Sequence, residues 1–257
     1  MVGLASKPGR GLATASLMLA LVVAACGGAA STSNGNNGNG SNGGNGAGST
    51  GGTLAAGLSA NLDTLDSYQF SWQFSGSSSS ATAADSGSFG TSGTVVNRPT
   101  KSYKVNNLGM IQIIVIGSQG WTSLDNGSTW TVDTTYSADS SSLTSLLPTA
   151  LYASDFDTNA NNFTVVGNET KNGVDCIHYK GNSSLGALGA VAGVSATFQS
   201  DLWVAKTGNY PVSGFYGWSA SSGGQSGTWG YSFDVTHVND AAANAITAPA
   251  NAVAIPT

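Results

Sequence analysis

Apolar and polar residues alternate strictly in Tyr68-Gln69-Phe70-Ser71-Trp72-Gln73-Phe74. A period of two puts the four aromatic rings on one face of a strand and the polar residues on the other. Just upstream, Leu54, Leu58, Leu62 and Leu65 recur at spacings of four, four and three. That spacing predicts a short amphipathic helix over 54–65 with one apolar stripe. A Gly/Ser-rich stretch after Phe74 reads as a loop, followed by strand-like runs at about 88–97, 101–107 and 110–117. "GWTSLDNGSTWTV" at 120–132 predicts a tight hairpin turned at Asp125-Asn126-Gly127.

Further along, Leu143, Leu146, Leu147 and Leu151 have helical spacing within 140–152, bent or restarted at Pro148. "FTVVGNETKNGVDCIHYKG" predicts a second hairpin turned near Asn172-Gly173. The small, apolar 183–198 could form a helix packed closely on a sheet, although its glycines weaken helix formation. Three strands, "DLWVAKTG", "PVSGFYGWSA" and "TWGYSFDVTHV", complete the pattern. Meandering strands with intervening helices favour an α+β fold, one long antiparallel sheet with helices against one face, over βαβ units. The alternative is a closed up-and-down β-barrel.

The ends of the chain read differently. Residues 1–25 begin with Lys7 and Arg10 and continue into an apolar run that ends at Ala25. This is the layout of a signal peptide, too short for the roughly 20 residues of a membrane span. Val23-Ala24-Ala25-Cys26 resembles the lipobox of bacterial lipoproteins, which implies cleavage before Cys26 and acylation of its sulfur. Acyl chains at about 0.8 kcal/mol per buried methylene would anchor the protein to a membrane. Residues 26–52 then form a Gly/Ser/Asn-rich tether without an aromatic or charged residue, spanning roughly 25–30 Å as a flexible coil. One domain is expected over 53–240, with an Ala/Pro-rich tail at 241–257.

Removing 1–25 takes two of the eight basic residues and none of the thirteen acidic ones, leaving a net charge of −7. Such a chain has no electrostatic footprint for nucleic acid. With Cys26 acylated, Cys176 is the only thiol left, so the core and not a disulfide must hold the fold.

Catalytic patterns are sparse. There is no G-x-S-x-G elbow, His178 and His237 are the only imidazoles, and Glu169 is the only glutamate. Ser123-x-Asp125-x-Gly127-x-Thr129-Trp130 matches the Asp-box of sialidase propellers, but it occurs once, and Arg98 is the only arginine after residue 25. It reads as a structural hairpin. No enzyme activity, cofactor or metal is expected.

"DLWVAKTGNYPV" at 201–212 resembles a recurring segment of the LolA/LolB-like lipoprotein-carrier superfamily, particularly its LppX/LprG-type members, with Asp201, Trp203, Val204, Gly208 and Pro211 in the matching places. "LDSYQFSWQFSG" is similar to that family's helix-to-strand junction, and "YSFDVTHVND" with "ITAPANAV" to its closing strand and tail. The resemblance implies a curved half-barrel sheet around helices on its concave face, with an apolar pocket between them for lipid acyl chains. On that reading the pocket-lining candidates are Leu58, Leu62, Tyr68, Phe70, Trp72, Phe74, Ile113, Val115, Trp203 and Phe233. Close packing of the same residues into an ordinary core is the competing reading. The implied partners are a lipid or other apolar molecule and, through Cys26, the outer face of a bacterial cell membrane, for a monomer. The alternative is a structural or sensory envelope lipoprotein acting through a protein partner.

Overall fold

The computed structural model describes residues 54, 57–79, 84–140, 146, 147, 163–181, 195–222 and 224–254, all within one compact unit, 48–257. Its strands are β1 (Ser67–Ser79), β2 (Ala84–Val96), β3 (Ser102–Asn107), β4 (Ile111–Ile116), β5 (Gln119–Ser123), β6 (Trp130–Val132), β7 (Phe163–Lys171), β8 (Val174–Gly181), β9 (Ser195–Ala205), β10 (Pro211–Ser222), β11 (Gln225–Thr236) and β12 (Ala252–Val253). They form one sheet in the order β12-β6-β5-β4-β3-β2-β1-β11-β10-β9-β8-β7. Every pairing is antiparallel except β12 with β6. The sheet is curved and has two ends, β12 and β7, so the closed-barrel alternative is set aside in favour of an open half-barrel.

The helix expected over 54–65 is a 3-10 helix, Leu58–Thr64. Gly57, at φ 76°, opens it without a capping side chain, and the Leu65 N–H bonds back three residues to the Leu62 carbonyl. Asn97 Nδ2 donates to the carbonyls of Leu62 and Leu65 at 3.1 and 3.0 Å, satisfying the end of the turn from β2's side. The leucine stripe is buried as its spacing required, with Leu54, Leu58, Leu62 and Leu65 all at 6% exposure or less. Among the described residues this is the only helix, so helices covering the concave face are not part of the described fold. Of the helix expected over 140–152, Leu146 and Leu147 are described and stand in a turn and a bend, while most of the rest lies outside the described residues. Of 183–198, residues 195–198 belong to β9 and the remainder lies outside the described residues.

The Gly/Ser-rich stretch after Phe74 is not a loop. β1 runs on to Ser79 and β2 begins at Ala84, in continuous register from Ser67↔Val96 to Ser79↔Ala84. β1 is held on both sides, because it also pairs with β11 from Gln69↔Thr236 to Ser79↔Ser226. Two ladders of main-chain hydrogen bonds override the low strand preference of serine and glycine.

Both predicted hairpins form. Asn172 and Gly173 take φ 52° and 78°, as a two-residue turn with both central residues left-handed requires. In the Asp-box hairpin, Asn126 and Gly127 are also left-handed. Asp125 accepts from the Thr129 N–H at 2.8 Å, the Thr129 hydroxyl at 2.7 Å and the Ser123 hydroxyl at 2.8 Å, and the Trp130 indole donates to the Gly127 carbonyl at 3.0 Å. The Thr129 amide, followed by the two hydroxyls, lowers the Asp125 carboxyl from 3.8 to about 2. A depressed folded value means that this carboxylate stabilises the hairpin above pH 3.8 and that the contribution is lost as pH falls from 3.8 towards 2. A carboxyl 13C titration should find the Asp125 midpoint near 2, and a midpoint at 3.8 would contradict the bonding described.

Residues 241–254 fold back onto the sheet. Asn244, 1% exposed, donates from Nδ2 to the Ser67 hydroxyl at 2.8 Å and to the His237 carbonyl at 2.6 Å. β12 then closes the β6 edge through Ala252↔Trp130 and Val253↔Thr131.

Candidate functional site: an aromatic panel on the inner face

Cross-strand register assigns each side chain to a face. Phe70, Trp72 and Phe74 stand opposite Val235, Phe233 and Tyr231 of β11, and these align through Gly214 and Tyr216 of β10 with Leu202 and Ser200 of β9. In the other direction the same face continues through Phe89, Thr91 and Val95 of β2, Tyr103 and Val105 of β3, and Ile113 and Val115 of β4. This is the inner face, which carries most of both clusters of buried apolar residues and receives the leucines of the 3-10 helix, whereas Cys176 and Ala205 pair on the parity of His178 and Trp203.

The inner face has two regimes. Leu58, Leu62, Tyr68, Phe70, Ile113, Val115 and Phe233 are 0–3% exposed and interlock as closed core. Burial and the nearby Asp63 charge push the Tyr68 phenol far above its ordinary range, so it stays neutral. Towards the Ser79 end of β1 and the Gln225 end of β11, the core opens into a panel of half-buried and exposed rings. Trp72 lies 6.0 Å from Phe89 and 6.1 Å from Tyr231, and Phe74 lies 5.1 Å from Phe89 and 6.2 Å from Trp218. Tyr216 stacks on Tyr231 at 5.5 Å, and Trp218 on Trp229 at 6.3 Å with planes 26° apart. These separations are those of favourable offset and edge contacts.

Glycine decides how the rings lie. A Cβ on Gly76 would fall 2.5 Å from Trp229 Cδ1, and one on Gly227 would collide with Trp229 Cη2. The indole therefore lies flat across two strands and presents a face to the panel, not an edge. The Phe233 ring lies over Gly214 in the same way, deeper in the core. No inner-face position of the panel carries a charge, whereas the opposite face of the same strands reads Ser71, Gln73, Ser75 on β1 and Thr228, Ser232, Asp234 on β11. The panel can therefore replace water around an apolar molecule, with the Tyr216 and Tyr231 hydroxyls and the indole N–H groups as its polar handles.

The structure brings nine of the ten pocket candidates onto one face. Trp203 is the exception, because its cross-strand partner is Ser213, and Leu202 and Val204 take the inner positions. Trp203 instead joins a polar cluster on the other face. Its Nε1 donates to Glu169 at 2.8 Å, and its ring stacks on His178 at 4.4 Å with planes 10° apart. His178 Nδ1 lies 2.9 Å from Glu169 Oε1, and Nε2 lies 2.9 Å from Asp201 Oδ1. The Trp203 and His178 hydrogen bonds hold the Glu169 carboxyl below its ordinary range. With its ring nitrogens 2.9 Å from the two carboxylates, His178 ties β7, β8 and β9 together. Cys176, fully buried, has its thiol pushed up by burial. Among the described residues, no group of three or more His, Cys, Asp or Glu side chains is arranged to hold a metal ion.

Phe89, Tyr216, Trp218, Trp229 and Tyr231 were not singled out from sequence. The alternation in "FYGWSA" and "TWGYSFDV" carries the same signal as β1 and could have found four of them.

No family model matches the chain, and no curated protein matches it. Among solved structures it is similar to a DUF1329 family protein from Desulfovibrio piger, at 12% identity over 68% of this chain and 88% of that one, with a TM-score of 0.18. It is also similar to a LolA superfamily protein from Nitrosomonas europaea, at 11% identity over 69% and 91%, TM-score 0.18. A third neighbour is a domain described as outer membrane lipoprotein-sorting from Vibrio parahaemolyticus, at 8% identity over 65% and 83%, TM-score 0.18.

Proposed function

We propose that this protein is a membrane-anchored, extracytoplasmic lipoprotein that holds a lipid or other apolar ligand against the inner aromatic panel, without chemical catalysis. The observation that carries this reading is the contiguous panel of Trp72, Phe74, Phe89, Tyr216, Trp218, Trp229 and Tyr231, uncharged and only partly covered. Large apolar surface left uncovered on a soluble domain is costly unless something occupies it, and the gain on covering it is about 25 cal/mol per Å². The lipobox-like Val23-Ala24-Ala25-Cys26 supports acylation of Cys26, followed by a tether at 27–52 that gives the domain reach from the bilayer. Among the described residues, no helix is long and apolar enough to cross a membrane. The sequence resemblance to LppX/LprG-type proteins adds transport of lipids or lipoproteins as the purpose of such binding.

The test is native mass spectrometry of the purified chain, paired with solvent extraction. A noncovalent adduct that extracts into organic solvent is expected. A chain that is always ligand-free, and that takes up no added fatty acid or phospholipid, would contradict the reading.

A further inference from the structure

β2 is longer than the strand beside it. β3 pairs with it only from Val96↔Ser102 to Thr91↔Asn107. A last bond, from the Leu108 N–H to the Gly90 carbonyl at 2.9 Å, closes that ladder, and β3 then turns away through Leu108 and Gly109 at φ 57° and 70°. Among the described residues, no strand pairs with β2 from Ala84 to Phe89 on this side, although β1 continues to pair with it on the other as far as Ala84. Main-chain groups alternate in direction along a strand. Gly90 faces β3, so Ser88 and Ser86 present their N–H and C=O groups to the open side.

The two ends of the sheet are more fully protected than this stretch. β7 carries a bulge between Val165 and Gly167 and the charged Glu169 and Lys171, and the β6 edge is closed by β12. The open stretch of β2 keeps unbroken register with β1, contains no proline and no lysine, and carries a single charged residue, Asp85. Residues 195–199 of β9 are a second stretch with no neighbouring strand on one side among the described residues. At this edge stand two exposed apolar side chains, Phe89 at 51% and Leu108 at 45%, the latter on the residue whose N–H bonds Gly90. Phe89 points to the inner face, stacked on Phe74.

We infer that Ala84–Phe89 of β2 is a docking edge for an extended polypeptide segment of a partner, which adds to the sheet as a strand and places apolar side chains, at alternate positions, over Phe89 and the aromatic panel. The unpaired main-chain groups set the occupant's chemistry. Hydrocarbon cannot satisfy N–H and C=O groups, whereas an extended chain supplies one donor and one acceptor for each. The apolar residues at this edge and the serines at 86 and 88 call for an alternating partner with one greasy and one polar face. This goes beyond ligand binding and does not depend on it.

The test uses the full chain in detergent and a fluorescein-labelled nine-residue peptide of alternating valine and serine, followed by fluorescence anisotropy. Ser88→Pro removes one outward N–H at an edge position, where proline is tolerated. Saturable binding to the unaltered protein is expected, about tenfold weaker in the variant. A peptide N-methylated along one edge should not bind the unaltered protein, an arm that stands even if the variant fails to fold. No saturable binding, equal affinity of both proteins for the peptide, or equal binding of the N-methylated peptide would overturn the inference. So would a dimer of this chain that Ser88→Pro dissociates, because the edge would then serve a second copy.

Discussion

Phe233→Ala is expected to lower folding stability by about 3–5 kcal/mol, the range for deleting a fully buried phenyl ring. Phe233 is 1% exposed and sits where β11 is flanked by β1 and β10, opposite Trp72 and Gly214. Its ring fills the space above Gly214, which has no side chain of its own to collapse into the vacancy. Leu54, Leu58, Leu202 and Val204 share the same cluster, so the cavity would open beneath the 3-10 helix, whose packing depends on it. Urea denaturation gives the value directly, and a loss below about 1 kcal/mol would mean that the cluster is not a close-packed core.

The second large effect concerns binding and leaves the fold in place. The paired change Trp218→Ser and Trp229→Ser should weaken an apolar ligand about a hundredfold. If each indole covers roughly 60 Å² of ligand at about 25 cal/mol per Å², each contributes about 1.5 kcal/mol, or about a factor of ten. Neither ring belongs to the buried core, and Trp229 rests on glycines at 76 and 227 instead of filling a hole between side chains. The variant should therefore unfold close to the unaltered protein, which separates this effect from that of Phe233→Ala. Unchanged affinity would place the ligand elsewhere.

Much of this architecture can be read from the chain because binary patterning and turn chemistry are local. The ring alternation at 68–74 set the inner face of β1, and Asn172-Gly173 set a hairpin, since asparagine and glycine tolerate the left-handed backbone that a two-residue turn demands. The leucine stripe identified the buried side of its element but not the type of helix, because spacings of four and three fit more than one winding over so short a run. The serine-rich halves of β1 and β2 carry no local strand signal, since their stability comes from partners distant in sequence. Trp203 illustrates a parity problem: Leu202, Trp203 and Val204 are consecutive and apolar, so alternation does not say which of them turns inward, and only the register with β10 decides it. Glycine is the least legible residue of the site. Read locally it breaks strands, yet at 76, 214 and 227 it seats aromatic rings, a role visible only when the neighbouring strand is in place.

The most direct measurement is native mass spectrometry of the unaltered chain and of the Trp218→Ser, Trp229→Ser variant, purified in parallel and offered the same fatty acid and phospholipid. The account predicts an extractable adduct on the unaltered chain and its loss from a variant that remains folded. A fully ligand-free unaltered chain, or an adduct retained equally by both, would contradict the aromatic panel as the binding surface.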